Sequence, residues 1–137
     1  MSGLTRFSVS LKRELLEKFD GQIKREGCPT RSKAIGDLIS KALVEQEWKE
    51  SGEVAAGIVM VYNHHKRDLS NKLTNIQHDY HHLIISTQHI HLDHENCLEI
   101  VIVRGKPGKV AELARKLKSA KGVKYTSVAA ASTGKTL

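Results

Sequence analysis

The sequence predicts an α+β protein in two parts: a β-α-α segment over residues 1–50, then a ferredoxin-like βαββαβ unit over residues 51–137. Three observations carry this reading. Arg6-Phe7-Ser8-Val9-Ser10-Leu11 alternates polar and apolar residues, the period of a half-buried strand. Two helical apolar stripes follow it. Beyond residue 53 the rhythm changes to four strand-length apolar runs interleaved with two more helical stripes.

In the first part, Phe7, Val9 and Leu11 share one strand face, and Arg6, Ser8 and Ser10 share the other. A helix follows with Leu15, Leu16, Phe19 and Ile23 on one stripe. Gly27 ends it and Pro29 prevents its continuation. Thr30 or Ser32 is placed to cap a second helix, whose stripe is Ala34, Ile35, Leu38, Ile39, Ala42 and Leu43. Glu45 to Glu53 is polar, contains Ser51-Gly52 and reads as a linker.

The second part starts with a strand over Val54–Tyr62, then a polar loop His64-His65-Lys66-Arg67. Asp68 is placed to cap a helix with Leu69, Leu73, Ile76 and Tyr80 on its stripe. Leu83–Leu92 reads as a strand, Asp93–Asn96 as a turn and Cys97–Arg104 as a strand. Gly105-Lys106-Pro107-Gly108 is a break before a helix marked by Val110, Leu113, Ala114 and Leu117 and ended by Gly122. Val123–Ala130 is the last strand, and Ser132–Leu137 a frayed tail.

The chain has 137 residues and a formal net charge of +7, which favours an anionic partner, nucleic acid before membrane. No apolar run approaches the ~18 residues of a membrane span. Two cysteines make no disulfide framework, and no secretory signal opens the chain, so the expected setting is the cytoplasm with reduced thiols. Aromatics at 4% argue against a single-strand binder built on stacked rings. Residues 1–33 hold eight Lys/Arg against four acids, and residues 34–53 hold two against five.

One strand and two short helices in about 45 residues bury too little surface to stand alone. Two copies that pair their strands antiparallel and interlock their helices solve this. The outer face of such a ribbon carries Arg6, Ser8 and Ser10 twice and fits the DNA major groove. The start of the second helix, Thr30 to Lys33, can bind a phosphate. Strand, helix, turn and then Arg31-Ser32-Lys33-Ala34-Ile35 resembles the ribbon-helix-helix repressors.

The second part carries a metal constellation. His89 and His91 lie two apart in a predicted strand and share a face, with Cβ atoms about 7 Å apart. Cys97 joins that face if it lies opposite His91, or if it is still in the turn. His78 ends a helix whose following strand climbs about 20 Å before reaching His89, so it does not readily meet the site of its own chain. A two-fold axis brings His78 of one subunit to the His89, His91 and Cys97 of another. Three imidazoles and a thiolate suit zinc if tetrahedral and Ni(II) or Cu(II) if square-planar. His64, His65, His81, His82 and His94 are less specific, and Cys28 reads as an ordinary small residue in a Gly-Cys-Pro turn.

These motifs resemble the nickel-responsive transcriptional regulators of the NikR family: His78 eleven before His89, His89-x-His91, Cys97-Leu98-Glu99 and Tyr62-x-His64-x-Lys66-Arg67-Asp68-Leu69. The resemblance covers nearly the whole chain. It implies a ribbon-helix-helix domain joined to an ACT-type domain, and a homotetramer built as a dimer of dimers. It further implies one square-planar Ni(II) per subunit on His89, His91, Cys97 and a partner's His78, with Glu99 behind these ligands. Arg6, Ser8 and Ser10 would read a palindromic operator, and Lys66 and Arg67 would contact its phosphates. The family represses nickel-uptake genes when nickel is bound.

Two features depart from the family. Serines stand on the outer strand face where threonines are common. Lys33 stands where an acid, with Asp37, commonly helps bind a second cation between the domains. A Lys33–Asp37 pair at i, i+4 can place an ammonium there instead. The rival readings are a copper, zinc or cobalt sensor of the same architecture, a metal-dependent hydrolase, and an ACT-type small-molecule sensor. Four protein ligands leave no open metal position, and no Ser/His/Asp set is present, so the expectation is not an enzyme.

Overall fold

The structure, a computed structural model, describes residues 3–50, 52–135 and 137. The chain divides into two compact units, Met1–Lys41 and Ala42–Leu137. The second helix crosses the division.

The first unit contains α1 (Arg13–Arg25) and the first part of α2 (Arg31–Lys49). Glu14 sits in the first turn of α1 and Lys24 and Arg25 in its last, complementing the helix dipole. The helix closes as a Schellman motif. Gly27 takes φ +71°, its N–H donates to the Lys24 carbonyl, and the Cys28 N–H reaches back to Ile23 at 2.9 Å. Of the two expected caps for α2, Thr30 acts: its Oγ1 accepts from the Lys33 N–H at 3.1 Å. Arg31 forks onto the Asp20 carboxylate at 2.8 and 2.7 Å, tying the two helices together.

Two expectations for the N-terminal half need correction. Residues 3–12 form no strand, because a strand needs a ladder partner and a single copy of the segment offers none. Phe7, Val9 and Leu11 all stay exposed, Leu11 least at 48%. The segment Glu45–Lys49 is not linker but the last turn of α2. Glu, Gln and Lys are good helix formers, and a polar run serves equally well as a solvated helix face. Trp48 gives this turn its packing. It lies against the core of the second unit and its Nε1–H donates to the Ala131 carbonyl at 2.8 Å.

The second unit contains β1 (Val54–Asn63), α3 (Arg67–Asp79), β2 (Ile84–His91), β3 (Asn96–Gly105), α4 (Pro107–Ser119) and β4 (Val123–Ala130). The four strands form one antiparallel sheet in the order β2-β3-β1-β4, the predicted ferredoxin-like topology. Alternation along β1 buries Val54, Ala56, Ile58, Met60 and Tyr62. Leu69 and Leu73 of α3, Val110, Leu113 and Leu117 of α4, and Val101 and Val103 of β3 complete the core.

The other sheet face is only half covered. Ile90, Leu98, Val61 and Tyr125 align in a row across all four strands, with Ile90 43% and Tyr125 59% exposed. Two helix starts differ from expectation. Lys66, not Asp68, occupies the N-cap of α3, so Arg67 is its first helical residue rather than part of a loop. Pro107 opens α4 instead of breaking the chain, since its fixed φ and missing N–H suit the first turn.

Ile58→Ala should lower the unfolding free energy by about 2–5 kcal/mol, the range for emptying a fully buried aliphatic site. Thr30→Ala should lower it by about 1 kcal/mol, the worth of one N-cap. Urea titration followed by circular dichroism checks both, and a cap loss as large as the core loss would contradict this account.

Candidate metal centre

Register decides which side chains of the β2–β3 hairpin meet. His91 pairs with Cys97 and His89 with Glu99, so all four project from the sheet face that carries the core. Cys97 thus joins the histidine face by lying opposite His91. The turn between the strands is built by Asp93, whose carboxylate accepts the backbone N–H groups of Asn96 at 2.7 Å and Glu95 at 2.9 Å. These bonds, led by Asn96, hold the Asp93 carboxyl well below the usual range, at about 2.

Cys97 is fully buried, and its Sγ donates to the Tyr62 carbonyl at 3.4 Å. Burial pushes its thiol above the ordinary range. Glu99 is the one buried charged side chain among the described residues. It is not left bare: the Tyr62 hydroxyl donates to Oε1 at 2.7 Å and the Gln77 amide to Oε2 at 2.6 Å. His89 Nδ1 lies 3.5 Å from the same Oε1. Burial and this carboxylate hold the Tyr62 phenol far above its usual range, so it stays a neutral donor.

The network links four elements. Tyr62 comes from β1, Gln77 from α3, His89 from β2 and Glu99 from β3. Gln77 immediately precedes His78, so Glu99 holds the turn of α3 from which His78 projects. His78 itself is exposed, and its ring stacks with His81 at 5.8 Å.

His64 was one of the less specific histidines in sequence, yet its ring stacks on His91 at 4.3 Å and 7°. Its Nδ1 is buried without a hydrogen-bond partner. Desolvation first, then His91, His65 and His89, lowers its pKa. His65 bonds the His94 carbonyl through Nε2 at 2.7 Å, and His81 bonds the His78 carbonyl through Nδ1 at 3.0 Å. His82 meets His81 ring edge to face. Gln77 was missed in sequence because an isolated amide carries no pattern. Tyr62 could have been placed from the alternation of β1, which puts it on the buried face with Met60.

The donor set fits a borderline transition metal: two imidazoles and a thiol on one hairpin face, with a buried carboxylate behind them. Among the described residues, no three His, Cys, Asp or Glu side chains converge on a point that could hold a metal ion.

The remaining candidates lie elsewhere. Arg6, Ser8 and Ser10 are exposed in the N-terminal segment, and Lys66 and Arg67 are exposed at the start of α3 without ion-pair partners among the described residues. Lys33 Nζ donates to Asp37 Oδ1 at 2.6 Å, a local pair within α2. Cys28 Sγ lies 3.5 Å from the Thr30 carbonyl, a turn contact. No helix among the described residues is long and apolar enough to cross a membrane.

The family described as NikR C terminal nickel binding domain matches residues 55–131. The chain belongs to this family of nickel-responsive regulators. It is 51% identical over 98% of both chains to a protein of Syntrophus aciditrophicus named "Putative nickel-responsive regulator". A Chlorobaculum tepidum protein of the same name is 52% identical, over 96% of this chain and 98% of its own. Among solved structures, the uncharacterized protein TM1266 of Thermotoga maritima matches with a TM-score of 0.53 at 11% identity, covering 58% of this chain and 98% of that one. That likeness concerns the fold alone. As a member of the family, this regulator takes Ni(II) as its cofactor.

In the metal-free protein, Ellman's reagent should modify one thiol quickly and Cys97 slowly, because Cys97 has no exposed surface. Cys97→Ser should remove only the slow phase. The Asp93 turn gains its stability above the ordinary carboxylate value near 4 and loses it as pH falls toward about 2. Carboxyl-carbon NMR titration of Asp93 should show that depressed midpoint.

Proposed function

We propose that this regulator is a nickel-dependent DNA-binding repressor of nickel-uptake genes, working in the cytoplasm as a homotetramer and not as an enzyme. One observation carries the reading: His89, His91 and Cys97 share a face of the β2–β3 hairpin, while His78 sits exposed on another element and no three donors converge among the described residues. His89 lies five residues along β2, about 17 Å from its start, so His78 completes the set of a partner subunit. β2 is an edge strand, and the half-covered sheet face offers a row of apolar side chains for burial between copies. Bound Ni(II) would join the imidazole and thiolate donors of two subunits, one ion per subunit.

The chain's own residues relate that junction to DNA. Glu99 accepts from Gln77 and so holds the His78 turn of α3, and the same helix begins with Arg67 behind its N-cap Lys66. Fixing His78 therefore restricts the helix that presents Lys66 and Arg67 to phosphate, a population shift rather than a new fold. The first 50 residues form the DNA-binding domain and residues 51–137 the metal-binding one. Two copies of the Arg6–Leu11 segment pair as a ribbon whose Arg6, Ser8 and Ser10 face reads a palindromic operator. Lys33 satisfies Asp37 with its own ammonium, so operator binding does not require potassium.

Subunit mixing tests the shared site. His78→Ala and Cys97→Ser proteins should each lose the nickel–thiolate absorbance. Their denatured and refolded mixture should regain about a quarter of the wild-type sites, since about half of the two-fold pairs are mixed and each mixed pair holds one complete site of its two. No recovery would place the site within one chain and refute the proposal. Absorbance during competition with zinc, copper and cobalt separates nickel from the other metals.

Footprinting on a palindromic promoter library should show nickel-dependent protection, unchanged when sodium replaces potassium. Lys66→Ala with Arg67→Ala should lower the salt slope of operator affinity by about two, close to one per phosphate contact. An unchanged slope would remove both residues from the interface.

A further inference from the structure

The charge of this regulator is concentrated in one place. Between Arg104 and Lys124 stand eight Lys or Arg and one acid, Glu112. The rest of the chain has fourteen basic and fourteen acidic residues, so this segment supplies the whole formal +7. It runs from the end of β3 through α4 to the start of β4, and all eight cations are exposed.

Four of them are engaged locally. Arg104 pairs with Glu53 at 3.1 Å and Lys109 with Glu112 at 3.4 Å. Lys116 lies 5.2 Å over the Tyr80 ring, and Lys124 donates to the Asn96 amide oxygen. Lys106, Arg115, Lys118 and Lys121 have no such partner among the described residues.

The helix explains only part of this pattern. Lys116 and Lys118 in its last turn complement the carbonyl end of the dipole. The front end does the reverse. The N-terminus of a helix carries partial positive charge, yet Lys106 is the N-cap residue, Lys109 follows in the first turn, no acid stands in that turn, and no side chain caps it. An anion laid across this face relieves that repulsion and neutralises the four free cations.

The composition of the face selects the anion. No large hydrophobic side chain is exposed between residues 104 and 124, so the face lacks the apolar wedge of a membrane-surface helix. It also lacks exposed aromatic rings on which single-stranded bases could stack. We propose that the α4 face is a second, sequence-independent docking surface for the phosphate backbone of double-stranded DNA, distinct from the Arg6, Ser8 and Ser10 face. The choice of anion rests on the DNA-binding reading above.

The test uses the full-length protein and a random-sequence duplex, with and without nickel. Lys106→Gln, Arg115→Gln, Lys118→Gln and Lys121→Gln are combined, and log affinity is measured against log salt. Each lost phosphate contact lowers the slope by about 0.9, so the slope should fall by about three to four. Should the fourfold variant fail to fold by circular dichroism, the Arg115→Gln and Lys121→Gln pair should lower it by about two. An unchanged slope in a folded variant overturns the proposal, as does tighter wild-type binding to phosphatidylglycerol vesicles than to the duplex. Arg6→Ala separates the two readings. It should abolish operator preference while leaving the random-sequence slope carried by α4 in place, and an operator preference that survives Arg6→Ala counts against the operator reading alone.

Discussion

The pairing of β2 with β3 is the constraint on which the candidate metal centre depends. Because side chains alternate along a strand, one residue of slip would send His89 and His91 to the far side of the sheet from Cys97 and Glu99. The Asp93 turn fixes the register at one end of the hairpin. Buried Val101 and Val103 fix it along β3, since turning them outward would empty the core. The chemistry of the site is thus specified by the same hydrophobic pattern that folds the domain.

Glu99 ties the packing of three other elements to the candidate metal centre. A buried carboxylate is costly unless its oxygens are satisfied, and here a phenol and an amide from two other elements satisfy them. The arrangement therefore couples stability to geometry. Whatever shifts α3 withdraws the Gln77 donor from Glu99, and whatever disturbs Glu99 loosens the helix next to His78. His64, stacked flat on His91 with an orphaned nitrogen, restricts the ring of a candidate ligand in the same way.

Most of the fold was legible because its signals are periodic. The Arg13–Arg25 and Pro107–Ser119 helical stripes and the Gly27 stop each came from local rules that the tertiary structure obeys. The failures share a cause: composition was read where context decides. Glu45 to Lys49 looked like linker, but Trp48 docks that turn and makes it helix. Pro107 looked like a break because proline in the middle of a helix is one, whereas at its first position it is an initiator. The alternation over Arg6–Leu11 needs a second strand for its ladder, and the single chain offers none. In the site, the shared face of His89 and His91 was readable from spacing and Cys97 opposite His91 was one of two placements it allowed, while Gln77 and the His64 stack depend on how α3 and β1 pack and leave no mark in spacing.

The docking of Trp48 has a practical consequence. It is the only tryptophan in the chain, so indole emission arises from a single spot. That spot joins the last turn of α2 to the residue that follows β4, through one hydrogen bond to Ala131. The regulator thus carries an intrinsic optical gauge at this joint. Its wavelength reports whether the indole is desolvated there, and it needs no attached dye.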